Sequence, residues 1–232
     1  MITSKQNPSF KLWQKLKLKK YRDLHGLFLV YGHHQIEKAK EKNALVDILS
    51  DQEVDGVTTL SKDLMDELQQ AETYFNMIGV CKKTNLKINS NYVLVLDDIQ
   101  DPDNLGALIR SAAAFDFLHI IISQKSADAY NEKTIRAAKG SLFDVYLERR
   151  PLSIALSELK NQGYYLLCAD PHQSGDIIKH DKIALILGNE GHGISDEIKS
   201  ISDGFVSIQT KNVESLNVSV AGAILMHEWR KR

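Results

Sequence analysis

Continuous apolar runs recur through the C-terminal part of this 232-residue chain: Tyr92-Val93-Leu94-Val95-Leu96, then 118–122, 164–169 and 183–187, with weaker ones at 143–147 and 205–208. A run without polar alternation is what a parallel strand needs when both of its faces are buried. Helical patterns lie between the runs, at 105–115, 132–138, 152–161, 196–201 and 216–229. Strands alternating with helices predict βαβ units and a mostly parallel sheet with helices on both faces; taken alone, the alternation points to an open, doubly wound sheet. Ligands of such sheets bind beyond the carboxyl ends of the strands, so chemistry is sought in the loops that follow the runs.

Residues 24–82 have a different texture. Leu27-Phe28-Leu29-Val30 ends at Gly32, and a helical pattern with Ile36 and Ala39 follows. Strand patterns come next at 45–49 and 57–60, then a helix opening at Ser61 with Leu64, Met65 and Leu68 on one side, then a strand at 77–81. These read as a small α/β unit. The polar segment 82–91 is the best linker candidate, which divides the chain into 1–85, a linker at 86–91, and 92–232. No apolar run reaches the roughly 18–20 residues of a membrane-spanning helix, and the first residues lack the pattern of a secretory signal. Cys81 and Cys168 sit singly in apolar segments and read as buried reduced thiols, so a cytoplasmic location is expected.

With 29 Lys+Arg against 30 Asp+Glu the net charge is only −1, yet residues 1–22 hold Lys5, Lys11, Lys15, Lys17, Lys19, Lys20 and Arg22 and no acid. Phe10, Trp13 and Tyr21 are interleaved with them, a composition shared by nucleic-acid surfaces and by amphipathic helices with a solvated lysine face.

Three loops carry the candidate chemistry. In 96–110, Asp103 or Asn104 is expected to cap a helix on which Arg110 stands alone among apolar and small residues. Arg110 reads either as a side chain reaching the surface or pairing with Asp97, or as a guanidinium held near a phosphodiester. In Leu187-Gly188-Asn189-Glu190-Gly191-His192-Gly193-Ile194-Ser195, glycines allow a sharp turn or close backbone approach to a ligand, and Ser195 is expected to cap the next helix. The spacing is not that of a phosphate-cradling loop. In 208–225, Ser215 is the expected helix cap, and Asn217 and Ser219 are polar groups in apolar surroundings that need partners. No His-Glu-x-x-His or Cys/His cluster is present, so no metal site is expected.

Together the segments resemble the three motifs of the SpoU (TrmH-type) RNA 2′-O-methyltransferases of the SPOUT superfamily: Asn104-x-Gly106-x-x-x-Arg110, Leu187-Gly188-Asn189-Glu190-Gly191-x-Gly193, and Glu214-Ser215-Leu216-Asn217-Val218-Ser219-Val220-Ala221. Thr3-Ser4-x-Gln6-Asn7-Pro8 and Phe28-Leu29-Val30-Tyr31-Gly32-His33 resemble the family's N-terminal substrate-binding domain, which is similar to a ribosomal-protein RNA-binding fold. The resemblance implies S-adenosylmethionine as methyl donor, a ribose 2′-hydroxyl of RNA as acceptor, a C-terminal deep trefoil knot, and a homodimer with active sites at its interface. It places Arg110, Asn104, Glu190, Ser215 and Asn217 in the catalytic site. Leu187, Gly188, Asn189, Gly193, Ile208, Leu216 and Val218 fall at the cofactor, and Lys5, Lys15, Lys19, Arg22 and His33 at the RNA. The two-part layout favours ribosomal RNA; a tRNA methyltransferase and a catalytically silent RNA-binding assembly factor are the alternatives. Ile208-Gln209-Thr210 stands where the family usually has Ile-Pro-Met, and Tyr31-Gly32 where Glu-Gly is common.

Overall fold

The computed structural model describes all residues except 71–72, 85–86, 174–179 and 231–232. Part of the expected linker and the last two basic residues therefore lie outside the described residues. The chain divides into two compact units, one formed by Met1–Thr84 with Asp128–Phe143, the other by Asn85–Ala127 with Asp144–Arg232.

In the first unit, Asn7 caps α1 (Pro8–Lys15) by accepting from the Ser9 and Phe10 amides, and Pro8 supplies the ready-made first φ. Phe10, Trp13 and Leu16, three apart, are buried. After α2 (Lys19–His25), Gly26 takes a left-handed φ of 64° and turns the chain into β1 (Leu27–Tyr31). There follow α3 (His33–Glu41), β2 (Leu45–Ser50), β3 (Thr58–Thr59), α4 (Lys62–Leu68) and β4 (Met77–Lys82). The sheet order is β1-β4-β2-β3, with β4 antiparallel to both neighbours and β3 parallel to β2. The last strand in sequence thus lies inside the sheet. One core joins α1 and α4 to Leu29, Tyr31, Leu49, Ile78 and Val80.

A segment from the middle of the chain completes this unit: α6 (Glu132–Ala138) and the 3₁₀ turn Ser141–Phe143, which follow β5 (Tyr92–Leu96), α5 (Pro102–Ala114) and β6 (His119–Ile122) in sequence. Phe28 packs on Tyr130 and Phe143 at ring separations of 4.8 and 5.9 Å. Arg22 is buried; it donates to the Leu16 and Lys17 carbonyls and pairs with Asp128 at 2.6 Å.

The second unit continues with β7 (Tyr146–Arg149), α7 (Leu152–Asn161), β8 (Tyr165–Ala169), β9 (Ile183–Leu187), α8 (Asp196–Ile201), β10 (Gly204–Val206) and α9 (Val218–Arg230). Its sheet order is β10-β8-β9-β5-β6-β7, and each adjacent pair is parallel. Val93, Val95, Ala184 and Ile186 pack with α7 and α8 on one face. Side chains alternate along a strand, so Leu94, Leu96 and Leu187 face the other way; there α5 and α9 pack, with Gly222 against Leu108 and Leu187. This is the α/β architecture expected from the runs. No helix among the described residues is long and apolar enough to cross a membrane.

Candidate functional site

A common strand direction collects the loops after β5, β8, β9 and β10 at one end of the sheet. α5 begins three residues before the expected start: Asp101 is its cap, accepting from the Asp103 and Asn104 amides at 2.7 and 3.4 Å, with Pro102 as first residue. Asn104 is therefore in the first turn rather than at the cap, and its side chain is available. Its amide donates to Glu190 Oε1 at 2.9 Å, and its oxygen accepts from Asn217 Nδ2 at 3.0 Å. Residues from all three segments thus meet at Asn104.

Asn217, not Ser215, caps α9. Its Oδ1 accepts from the Ser219 amide at 2.9 Å and the Ser219 hydroxyl at 2.6 Å, and its carbonyl accepts the helix bond from Ala221. Ser215 is exposed one turn earlier, in the irregular segment 207–217. A short polar side chain one residue before the helical backbone begins is the usual solution to unpaired amides; both asparagine and serine qualify, and only the backbone path chooses.

The turn after β9 is closed by reciprocal backbone bonds between Asn189 and Gly193, both 3.0 Å. Asn189 Oδ1 accepts from the Gly191 and His192 amides, and its Nδ2 donates to the Asp98 carbonyl at 2.9 Å. The asparagine side chain is spent on holding the turn. A Cβ on Gly188 would lie 2.3 Å from backbone atoms of Gly193 and Ile194, so glycine is required there by the close approach of the returning chain.

Two consecutive aspartates brace this turn. Asp97 accepts from both the amide and hydroxyl of Ser195, at 2.9 and 2.8 Å. That bond draws the Ser195 hydroxyl away from the amides of α8 and replaces the expected side-chain cap; it also leaves Asp97 unpaired with Arg110. Asp98 is buried with φ 60°, donates its amide to Ser123 Oγ, and has its carboxylate 3.6 Å from His192 Nε2. Ser123 and Ser126 are held in turn by Arg149, which donates to the carbonyls of Ser123, Gln124, Ser126 and Ala127. Position alone, directly after a buried run, was the signal for both aspartates.

The loops after β8, β9 and β10 line a cleft of about 540 Å³, and Asn104, like the rest of the segment after β5, lies outside its wall; the volume is within the range of small-molecule and cofactor sites. Leu187, Gly188, Asn189, Gly193, Ile208, Leu216 and Val218 line it, as do Glu190, Ser215 and Asn217. Among the described residues the backbone N–H groups of Ile208 and Leu216 have no hydrogen-bond partner. Unpaired amides between the apolar side chains of Leu187, Val218, Ala221 and Leu225 suit a flat heteroaromatic ring with acceptor nitrogens, so the residues present fit an adenosine-bearing cofactor.

The far wall holds a pair not anticipated from sequence. Asp170 is buried, binds Lys199 at 2.8 Å and accepts from the His172 amide at 2.9 Å. Burial pushes its carboxyl pKa up, but Lys199 and the His172 amide outweigh that and hold it below the ordinary value.

Arg110 is outside the cleft wall, exposed, and makes no hydrogen bond or ion pair among the described residues. It follows Asn104 by six positions, which places the two about 120° apart around α5. The residues expected at RNA are in the first unit. Lys5 is paired with Glu67 and Lys19 with Asp23; Lys15 lies by the Tyr21 ring, and His33 is exposed at the first position of α3. Arg22 is buried, with both terminal nitrogens bonded in the interior and its Nε without a partner, and has no exposed face for a substrate.

A SpoU rRNA Methylase family model matches residues 91–227, and an MRM3-like substrate binding domain model matches residues 7–85. The 23S rRNA (guanosine(2553)-2′-O)-methyltransferase RlmP of Bacillus subtilis (strain 168) is 34% identical, with 99% of this chain and 98% of that protein aligned. Among solved structures, the SpoU methyltransferase AviRb from Streptomyces viridochromogenes in complex with AdoMet matches at a TM-score of 0.85 and 25% identity, covering 97% of this chain and 98% of that one. An AdoMet-bound rRNA methyltransferase from Sinorhizobium meliloti shares the fold at a TM-score of 0.86 and 22% identity, over 99% and 97% of the two chains. With three motif segments joined at Asn104 and a family model covering the unit that carries them, this chain belongs to the SpoU rRNA methylase family.

Proposed function

We propose that this chain transfers a methyl group from S-adenosylmethionine to a ribose 2′-hydroxyl of ribosomal RNA. It is a methyltransferase by family, and the observation that carries the reading is the meeting of all three motif segments at Asn104, which bonds Glu190 and Asn217 of the cleft wall from just outside it. Bound there, the cofactor supplies an electrophilic methyl on a sulfonium. The Ile208 and Leu216 amides and the Leu187, Gly188 and Val218 wall hold its adenosine, and the braced Asn189–Gly193 turn sets the shape of that wall.

A guanidinium is too strongly protonated to take the hydroxyl proton. Arg110 therefore orients the adjoining phosphate and stabilises the negative charge that grows on the ribose oxygen as the new O–C bond replaces the sulfonium S–C bond and the hydroxyl proton passes to water. Its exposed position outside the cleft supports an active site completed at the interface of a homodimer. The insertion of β9 between β8 and β5, with the 188–194 turn and the 207–217 segment on one cleft, supports the trefoil knot. Residues 1–85, matched over most of their length by a substrate-binding model, capture RNA through a ribosomal-protein-like fold, while 92–232 catalyse. This layout favours ribosomal RNA over tRNA and over a silent assembly factor, and a cytoplasmic enzyme accords with that substrate. The test is mass spectrometry of ribosomal and transfer RNA with and without the gene. Loss of one ribose-methylated nucleotide from ribosomal RNA is expected; loss from tRNA, or no loss, overturns the reading.

A further inference from the structure

The basic N-terminal segment is largely used up within the first unit: Lys5, Lys19 and Arg22 have carboxylate partners. Lys15 and Lys20 differ. Their ammonium groups lie over the Tyr21 ring, 5.4 and 5.8 Å from its centroid, where a base would have to displace them toward its phosphates, and neither forms an ion pair with a carboxylate among the described residues. Tyr21 is half-buried, and the same short stretch carries two large apolar side chains open to solvent, Leu18 at 60% and Leu24 at 69% exposure. Tyr21 and Leu24, three apart on α2, share a face, and Leu18 stands at the helix start. Asp23, the one acid on α2, is neutralised by Lys19 and Lys83.

We propose that Tyr21, flanked by Lys15 and Lys20 and bordered by Leu18 and Leu24, is a stacking platform for an unpaired base of the RNA substrate. This rests on the reading of the chain as an RNA methyltransferase and adds to it the form of the RNA: single-stranded at this contact. An aromatic face between two cations takes a base by π-stacking while the ammonium groups meet the flanking phosphates. A duplex presents phosphates but no free base face, so it uses the lysines alone. A protein partner would use the leucines, but the two unneutralised cations at the ring favour a polyanion.

The test is anisotropy with the full chain and a fluorescein-labelled CAA-repeat RNA of about 15 nucleotides, a length that spans such a site, alone and as its duplex. Tyr21→Ala is expected to weaken single-strand binding about tenfold, in keeping with the loss of one base–aromatic stack, with duplex binding nearly unchanged. Tyr21→Phe, which keeps the ring, retains wild-type binding, and Leu24→Glu, at an exposed position, weakens it without unfolding. Lys15→Gln with Lys20→Gln weakens both forms and lowers the single-strand salt slope by about 1.4. Unchanged single-strand binding in Tyr21→Ala, equal losses on single strand and duplex, or no oligonucleotide binding by any form overturns the platform. Methyl transfer by the wild-type chain to ribosomal RNA, measured in parallel, separates the two readings. Intact transfer with a failed Tyr21 result overturns the platform alone; a positive Tyr21 result without transfer overturns the proposed reaction and leaves the platform standing.

Discussion

Arg110 and Gly188 show how much individual positions carry. Arg110→Ala removes a cation that contacts neither the cleft wall nor the cofactor amides, so methyl transfer should fall at least about a hundredfold while cofactor affinity by calorimetry is unchanged. A parallel loss of cofactor affinity would place Arg110 at the cofactor instead. Gly188→Ala forces a methyl group into the Gly193–Ile194 backbone; the expected result is a loss of about 1–3 kcal/mol in denaturant unfolding, together with weaker cofactor binding. The side chains at both positions could be named from sequence. Their partners could not: Asp97 was a candidate partner for Arg110 and instead holds Ser195, and the caps fell to Asp101 and Asn217 rather than to Asp103, Asn104 or Ser215. Capping needs only a short acceptor side chain near the helix start, and each of these segments offers several.

Elements were more legible than partners. The buried strands appear within a residue or two of their apolar runs because a strand covered on both faces tolerates no polar interruption. β9, α7 and α8 have the expected bounds. The weak run at 143–147 did worse: its first residue closes a 3₁₀ turn and the strand is Tyr146–Arg149. Neither periodicity nor motif order revealed that the 128–143 segment packs with the N-terminal unit. Arg22 and Asp128, 106 residues apart, make that tie as a part-buried ion pair. Arg22→Ala should destabilise the chain by about 3 kcal/mol, because it leaves the half-buried Asp128 carboxylate without its partner and two carbonyls without their donor; Arg22→Lys should recover only part of this, since an ammonium cannot span the two carbonyls and the carboxylate as a guanidinium does. Hydrogen exchange should show α6 losing protection in both variants. Wild-type stability in Arg22→Ala would mean that the pair does not hold the segment.

At the scale of the whole molecule, charge balance sets the acid limit. Burial raises the carboxyl pKa of Asp23, yet Lys19 and Lys83 bring it down to about 2; Asp170 is likewise held low by Lys199, and Glu148 by its bonds with Tyr146 and His119. A carboxyl group depressed in the folded state contributes stability that is complete above its unfolded pKa of about 4 and is lost as pH falls through the folded value. The melting temperature should therefore fall a little as pH drops through about 6.5, because burial lowers the pKa of His119 and the folded chain takes up that proton less readily than the unfolded one, and it should decline more steeply below about 4. Asp170→Asn should flatten part of the decline and weaken cofactor binding at neutral pH, and an acid limb unchanged in that variant would exclude the Asp170–Lys199 tie as a cause. The near-neutral total charge of −1 conceals these local arrangements. The parallel α/β sheet, the end of it that bears the site, and the three segments that build the site follow from residue type and order, because burial on both faces and close backbone turns restrict which side chains fit. Tertiary structure alone decided which acceptor caps which helix, which carboxylates brace the turn after β9, and that Arg22 is structural. Those choices depend on which groups long loops bring within about 3 Å, and many sequence-compatible partners compete for each one.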